Sequence, residues 1–124
     1  MSRKILLVDD SATVLMMERM ILASERFQVV TAANGEEAHQ RAKQELPDLI
    51  LMDIVMPKMT GIQACKAIKD DPATKHIPII LVTTRGEADS MEAGYSSGCS
   101  DYVTKPVNSA ELLTKIRNIL GASK

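Results

Sequence analysis

Three uninterrupted apolar runs constrain this chain most: Ile5-Leu6-Leu7-Val8, Leu49-Ile50-Leu51-Met52 and Ile79-Ile80-Leu81-Val82. A strand with one wet face alternates apolar and polar residues, whereas a strand covered on both faces reads as a continuous apolar run, the signature of a parallel sheet. Two less uniform runs, Phe27 to Thr31 and Tyr102-Val103, fit strands nearer an edge. Between the runs lie segments of helical spacing. Val14, Met17 and Ile21 share one face of the first, Ile62, Cys65 and Ile68 of the third, and Leu113, Ile116 and Leu120 of the last. Thr60 before Gln63, Asn34 before Glu37 and Asn108 before Glu111 are capping-box starts. The segment 87–97 has only Ala88, Met91, Ala93 and Tyr95 to bury and is expected to be the least firmly packed helix. The pattern is (βα)₅, an α/β doubly wound parallel five-stranded sheet with right-handed crossovers and helices on both faces.

A chain of 124 residues without a linker or repeat predicts one domain over 1–124. At this size no metal or disulfide staple is needed for stability. Fifteen basic against sixteen acidic residues, net −1, exclude a polyanion-binding surface. The only aromatics are Phe27, Tyr95 and Tyr102, too few for base stacking, so no nucleic-acid partner is expected. Cys65 and Cys99 read as small buried hydrophobes, and Met16, Met17 and Met20 as core filling in preference to an adaptable partner surface. The start, MSRKILLVDDS, is neither a signal peptide nor a membrane span, which points to the cytoplasm.

In an open α/β sheet the site lies beyond the carboxyl ends of the strands, where strand order reverses. Asp9 and Asp10 follow the first run, Asp53 the third, Thr83 and Thr84 the fourth, and Thr104, Lys105 and Pro106 the fifth. If the order is 2-1-3-4-5, the three aspartates converge and Lys105 reaches in from the far side. Clustered carboxylates disfavour one another's ionisation, and a divalent cation resolves the conflict. An oxygen-only donor set with room for waters and a phosphate suits Mg²⁺. One carboxylate then serves as nucleophile toward phosphorus, with Lys105 and the Thr83 hydroxyl on the phosphoryl oxygens. Each piece alone has a bland reading, since Asp9-Asp10-Ser11 is also a helix cap and Asp53 also a polar strand end. Their joint placement at one edge carries the argument.

These residues bring the family into view. ILLVDDS at 5–11, LILMDIVMPKMTG at 49–61, IPIILVTT at 77–84 and DYVTKPV at 101–107 resemble the response-regulator receiver domains, over essentially the whole chain. The resemblance implies the flavodoxin-like order 2-1-3-4-5 and a phosphorylation-dependent switch that is not a conventional enzyme. It makes Asp53 the acceptor of a phosphoryl group from a histidine kinase or phosphotransfer protein. Asp10 is implied as a direct Mg²⁺ ligand, Asp9 as one acting through water, and the Val55 carbonyl as a further ligand. Thr83 and Tyr102 match the switch residues, Lys105 the phosphate-pairing lysine, Lys105-Pro106 a cis bond, and Gly61 and Gly98 family glycines. The implied output face is the 87–97 helix, the fifth strand and the last helix, engaging a separate partner from a monomer or weak homodimer.

Val55 stands where several chemotaxis relatives carry a polar residue, and Thr84 is bulkier than the small residue frequent there; both predict slow self-dephosphorylation. A flavodoxin is excluded by the carboxylates after the first strand, which would repel a flavin phosphate. A haloacid-dehalogenase-type phosphatase wants an aspartate where Val55 stands. The remaining alternative is a receiver-fold interaction module that works without phosphorylation.

Overall fold

The computed structural model describes residues 3–56, 59–83 and 95–121. Along the chain run β1 (Lys4–Val8), α1 (Ala12–Ala23), β2 (Gln28–Ala32), α2 (Gly35–Glu45), β3 (Leu49–Asp53), α3 (Gly61–Asp70), β4 (Ile79–Thr83), β5 (Asp101–Thr104) and α4 (Ser109–Leu120). Most of the helix expected over 87–97 lies outside the described residues; Tyr95 and Ser96, near its end, are helical. All strand pairs are parallel and their order is β2-β1-β3-β4-β5, as expected.

The continuous apolar runs work as their pattern requires, because alternate residues feed cores on opposite faces of the sheet. Leu6, Val8, Ile50, Met52, Ile79 and Leu81 pack with Ala38 and Ala42 of α2 and Ala64, Cys65 and Ile68 of α3. Ile5, Leu7, Leu49, Leu51, Ile80, Val82 and Val103 pack on the other side with Leu22 of α1 and Leu112 and Ile116 of α4. Every residue of β3 and β4 is buried, whereas β2 exposes Gln28 and β5 buries only Val103, the behaviour of edge strands.

The helix starts follow their capping residues. Thr60 and Gln63 form a full capping box at α3. Asn34 accepts from the Glu37 backbone N–H, but Glu37 reaches one residue further back, accepting from Ala33. Asn108 accepts from Glu111 at the start of α4. Both cysteines are buried, as expected, and the Cys65 thiol donates to the Ser97 carbonyl.

The inward face of α1 corrects the sequence reading. Met16, Met17 and Met20 are 63%, 52% and 69% exposed and do not fill the core. The buried positions of α1 are Glu18 and Leu22, with Leu15 against the same cluster. Of the expected face 14-17-21, Ile21 packs on the same cluster and Val14 is half-buried, so only Met17 departs, with Glu18 buried in its place. A glutamate in the middle of a stripe breaks the apolar periodicity on which such an assignment rests. Among the described residues no helix is long and apolar enough to cross a membrane.

Candidate functional site

β1 and β3 are neighbours, with Val8 opposite Met52, so the residues that follow these two meet at the carboxyl edge. Asp9 leaves β1 still tied to β2 by its N–H, which donates to the Ala32 carbonyl. Asp9 Oδ1 accepts from the Ser11 N–H, and Ser11 in turn caps α1 by accepting from Val14. The cap reading of this segment is therefore correct for Ser11, while Asp9 Oδ2 and Asp10 are left over for other work. Asp53 is the last residue of β3, and one carboxylate oxygen from each of Asp9, Asp10 and Asp53 lies within 4.8 Å of the others.

Lys105 closes the site from the far side. Its N–H donates to the Thr83 carbonyl at 2.7 Å, which fixes the chain just beyond β5 beside the end of β4. Its ammonium stands 3.2 Å from Asp53 Oδ1 and 3.6 Å from Asp9 Oδ2. The Lys105-Pro106 bond is cis, as the resemblance implied. Thr83 is buried at the end of β4, opposite Thr104. Thr84 lies outside the described residues. The structure therefore brings Asp9, Asp10, Asp53, Thr83 and Lys105 to one edge, with Val55 exposed nearby in sequence.

Burial raises the pKa of both Asp9 and Asp53, and each is raised further by a neighbouring carboxylate, while Lys105 opposes the shift. Burial pushes the Lys105 ammonium down, but the carboxylates of Asp53 and Asp9 outweigh it and its pKa is raised. Such a site is short of positive charge. Its donors are all oxygens, Asp9 Oδ2 is buried without a hydrogen-bond partner, and Asp10 is exposed on the open side. The residues present thus fit a hard divalent cation that keeps part of its water shell.

Tyr102, the expected switch aromatic, is half-buried in β5. The Lys115 ammonium sits 5.0 Å from its ring centroid and donates to its carbonyl at 2.6 Å, while Tyr95 meets the ring edge-on at 6.1 Å. Sequence reasoning missed Glu18, a carboxyl 3% exposed whose charge neighbours are Asp9, Lys105 and Asp53. The available signal was its position between Leu15 and Leu22, at helical spacing from both.

A doubly wound sheet with an acidic cluster and a lysine at its switch point is the layout of a receiver-type signalling domain, and the comparisons agree on that class. The response regulator receiver domain model matches residues 5–117, and the chain belongs to that family. It is 42% identical over 121 residues to the response regulator PleD of Caulobacter vibrioides, covering 96% of this chain but 26% of that protein. The chain thus spans about a quarter of PleD's length. To the protein PilH of Pseudomonas aeruginosa it is 41% identical over 117 residues, covering 94% of this chain and 97% of PilH. Among solved structures it superposes with a TM-score of 0.90, at 29% identity and over 98% of this chain and 99% of that one, on the receiver domain of a Pseudomonas aeruginosa sensor histidine kinase. That structure has a magnesium ion coordinated in its active-site cleft. Receiver domains of two-component systems are signalling domains and bind Mg²⁺ at an acidic pocket of this kind.

Proposed function

We propose that this chain is one receiver domain over residues 1–124 that accepts a phosphoryl group on Asp53 and passes the signal to a separate partner in the cytoplasm. The observation that carries the reading is the Asp9–Asp10–Asp53 cluster with the Lys105 ammonium already 3.2 Å from Asp53 Oδ1. The Asp53 carboxylate attacks phosphorus. Its new O–P bond replaces the P–N bond of a phosphohistidine on a kinase or phosphotransfer protein, or the P–O bond of a small acyl phosphate. Lys105 moves its pairing from the carboxylate to a phosphoryl oxygen, and the Thr83 hydroxyl donates to another. Asp10 and Asp53, with Asp9 through water and the Val55 carbonyl, would hold Mg²⁺, which supplies charge neutralisation for the transferring oxygens when bound. Thr83 and Tyr102 then report the phosphoryl group to the face formed by the 87–97 segment, β5 and α4, with the chain a monomer or weak homodimer.

The chain incubated with Mg²⁺ and acetyl phosphate is expected to gain the mass of one phosphoryl group, a gain abolished by EDTA and by Asp53→Asn. The same time course gives the phosphoryl lifetime. Val55, 60% exposed two residues beyond Asp53, offers an attacking water no polar group, so a lifetime far longer than seconds is expected. No gain, with beryllium fluoride also failing to bind, would leave the phosphorylation-independent interaction module. Thr83→Ala is expected to permit phosphorylation but to erase the change in Tyr102 and Tyr95 environment on beryllium fluoride addition, read by NMR of the tyrosine rings. An unaltered change would remove Thr83 from the switch.

A further inference from the structure

Glu18 is the buried carboxyl that phosphoryl transfer leaves unused. Its Oε1 has no hydrogen-bond partner, and among the described residues only Asp9 Oδ2 shares that condition. A buried orphan oxygen costs free energy, and Leu15 and Leu22 on the same stripe show that an apolar side chain suits this face. The charged groups close enough to act on it through space are Asp9 of the β1 edge, Lys105 beyond β5 and Asp53 of β3. Glu18 and Lys105 also wall one cavity of about 110 Å³, together with Val14, Ile21 and Pro106.

The Lys105 ammonium pairs with Asp53 Oδ1 and Asp9 Oδ2, on two of the three carboxylates that a divalent cation would share, Asp53 directly and Asp9 through water. Two cations repel one another over shared ligands, so entry of the metal requires the ammonium to yield. The cavity, walled by apolar atoms, leaves the lysine stem room to turn. We propose that Glu18 is a positioning residue for Lys105: its free oxygen receives the ammonium when a divalent cation engages the aspartate cluster, and releases it when a phosphoryl group arrives. A carboxyl oxygen accepts this hydrogen bond whether or not its twin carries a proton. The inference rests on the phosphoacceptor reading of the site.

Calorimetric titration of the full chain with Mg²⁺ alone tests it, using Glu18→Met, Glu18→Gln, Lys105→Met and the Glu18→Met/Lys105→Met pair. Glu18→Met removes an orphan polar atom, so folding is not at risk. It is expected to weaken Mg²⁺ binding about tenfold, the worth of one charge-assisted hydrogen bond. Glu18→Gln, which keeps an acceptor oxygen, recovers most of the loss. In the Lys105→Met background Glu18→Met has no further effect. Equal weakening with and without Lys105 would reduce Glu18 to a through-space charge and overturn the proposal, as would no weakening at all. If the unchanged chain binds no Mg²⁺, the metal reading of the site fails and this inference with it, whereas normal binding that ignores Glu18 sinks this inference alone.

Discussion

Glu18→Gln stabilises the metal-free protein by about 3 kcal/mol at pH 7, and the gain depends on pH in a way no packing change reproduces. Burial, reinforced by Asp9, raises the Glu18 pKa from 4.5 to about 8. The folded state therefore holds a proton that the unfolded chain releases between these two values. Where the folded state binds the extra proton, stability falls as pH rises, and each pH unit costs about 1.4 kcal/mol. The contribution is fully favourable below 4.5 and declines through the window up to about 8, beyond which it is flat. Glutamine does not titrate, so the difference between the two proteins should be small at pH 4, grow steadily to pH 8 and then level off. Urea denaturation in EDTA at several pH values checks this, and a difference that does not vary with pH would show that Glu18 is not buried as a neutral carboxyl. Glu18→Met should gain more at every pH, since it also removes the unpaired oxygen.

The cost of Glu18 at this position agrees with the way the site escaped or entered the sequence reading. β1, β3 and β4 were legible because burial on both faces leaves no alternative to a continuous apolar run. The residues just beyond them were legible as a site for the same reason: a strand end locates its next residue to within one position. The edge strands were less so, and β2 begins at Gln28, one residue later than the run that starts at Phe27. At α1 periodicity placed Ile21 on the inward face but gave no reason to place Glu18 there. Only tertiary packing shows it buried, and Met16, Met17 and Met20, expected inward, are exposed. Likewise the ammonium of Lys105 bridging Asp9 and Asp53 is a property of the strand order, since more than 50 residues separate Lys105 from Asp53 in sequence. The segment 84–94, where the expected fourth helix mostly falls, lies outside the described residues.

Gly61→Ala is expected to damage stability and phosphoryl transfer together. Gly61 opens α3, and its N–H donates to the Ile54 carbonyl at 2.8 Å, drawing the helix start against the end of β3. A β-carbon added there would collide with the Asp53 carbonyl oxygen and with Ile54 Cα. Both are backbone atoms beside the nucleophile and cannot swing aside as a side chain can, so either α3 or the β3 end has to shift. Overpacking of this kind costs about 3 kcal/mol. Displacing the nucleophile from Lys105 by about 1 Å should slow acetyl phosphate labelling of the folded protein by about a hundredfold, since reacting groups held in place lose that much when misplaced. Gly98→Ala separates the two effects. Gly98 has φ +104° and its added β-carbon would meet the Lys69 side chain, so the substitution strains the backbone away from Asp53. It should lower stability by about 1–2 kcal/mol while leaving the labelling rate of the folded fraction intact. Urea midpoints and labelling rates of the two variants, measured side by side, decide the matter. If Gly61→Ala lost stability but labelled at the unchanged rate, the strain would have been absorbed by α3, and the close approach at Gly61 would serve packing alone.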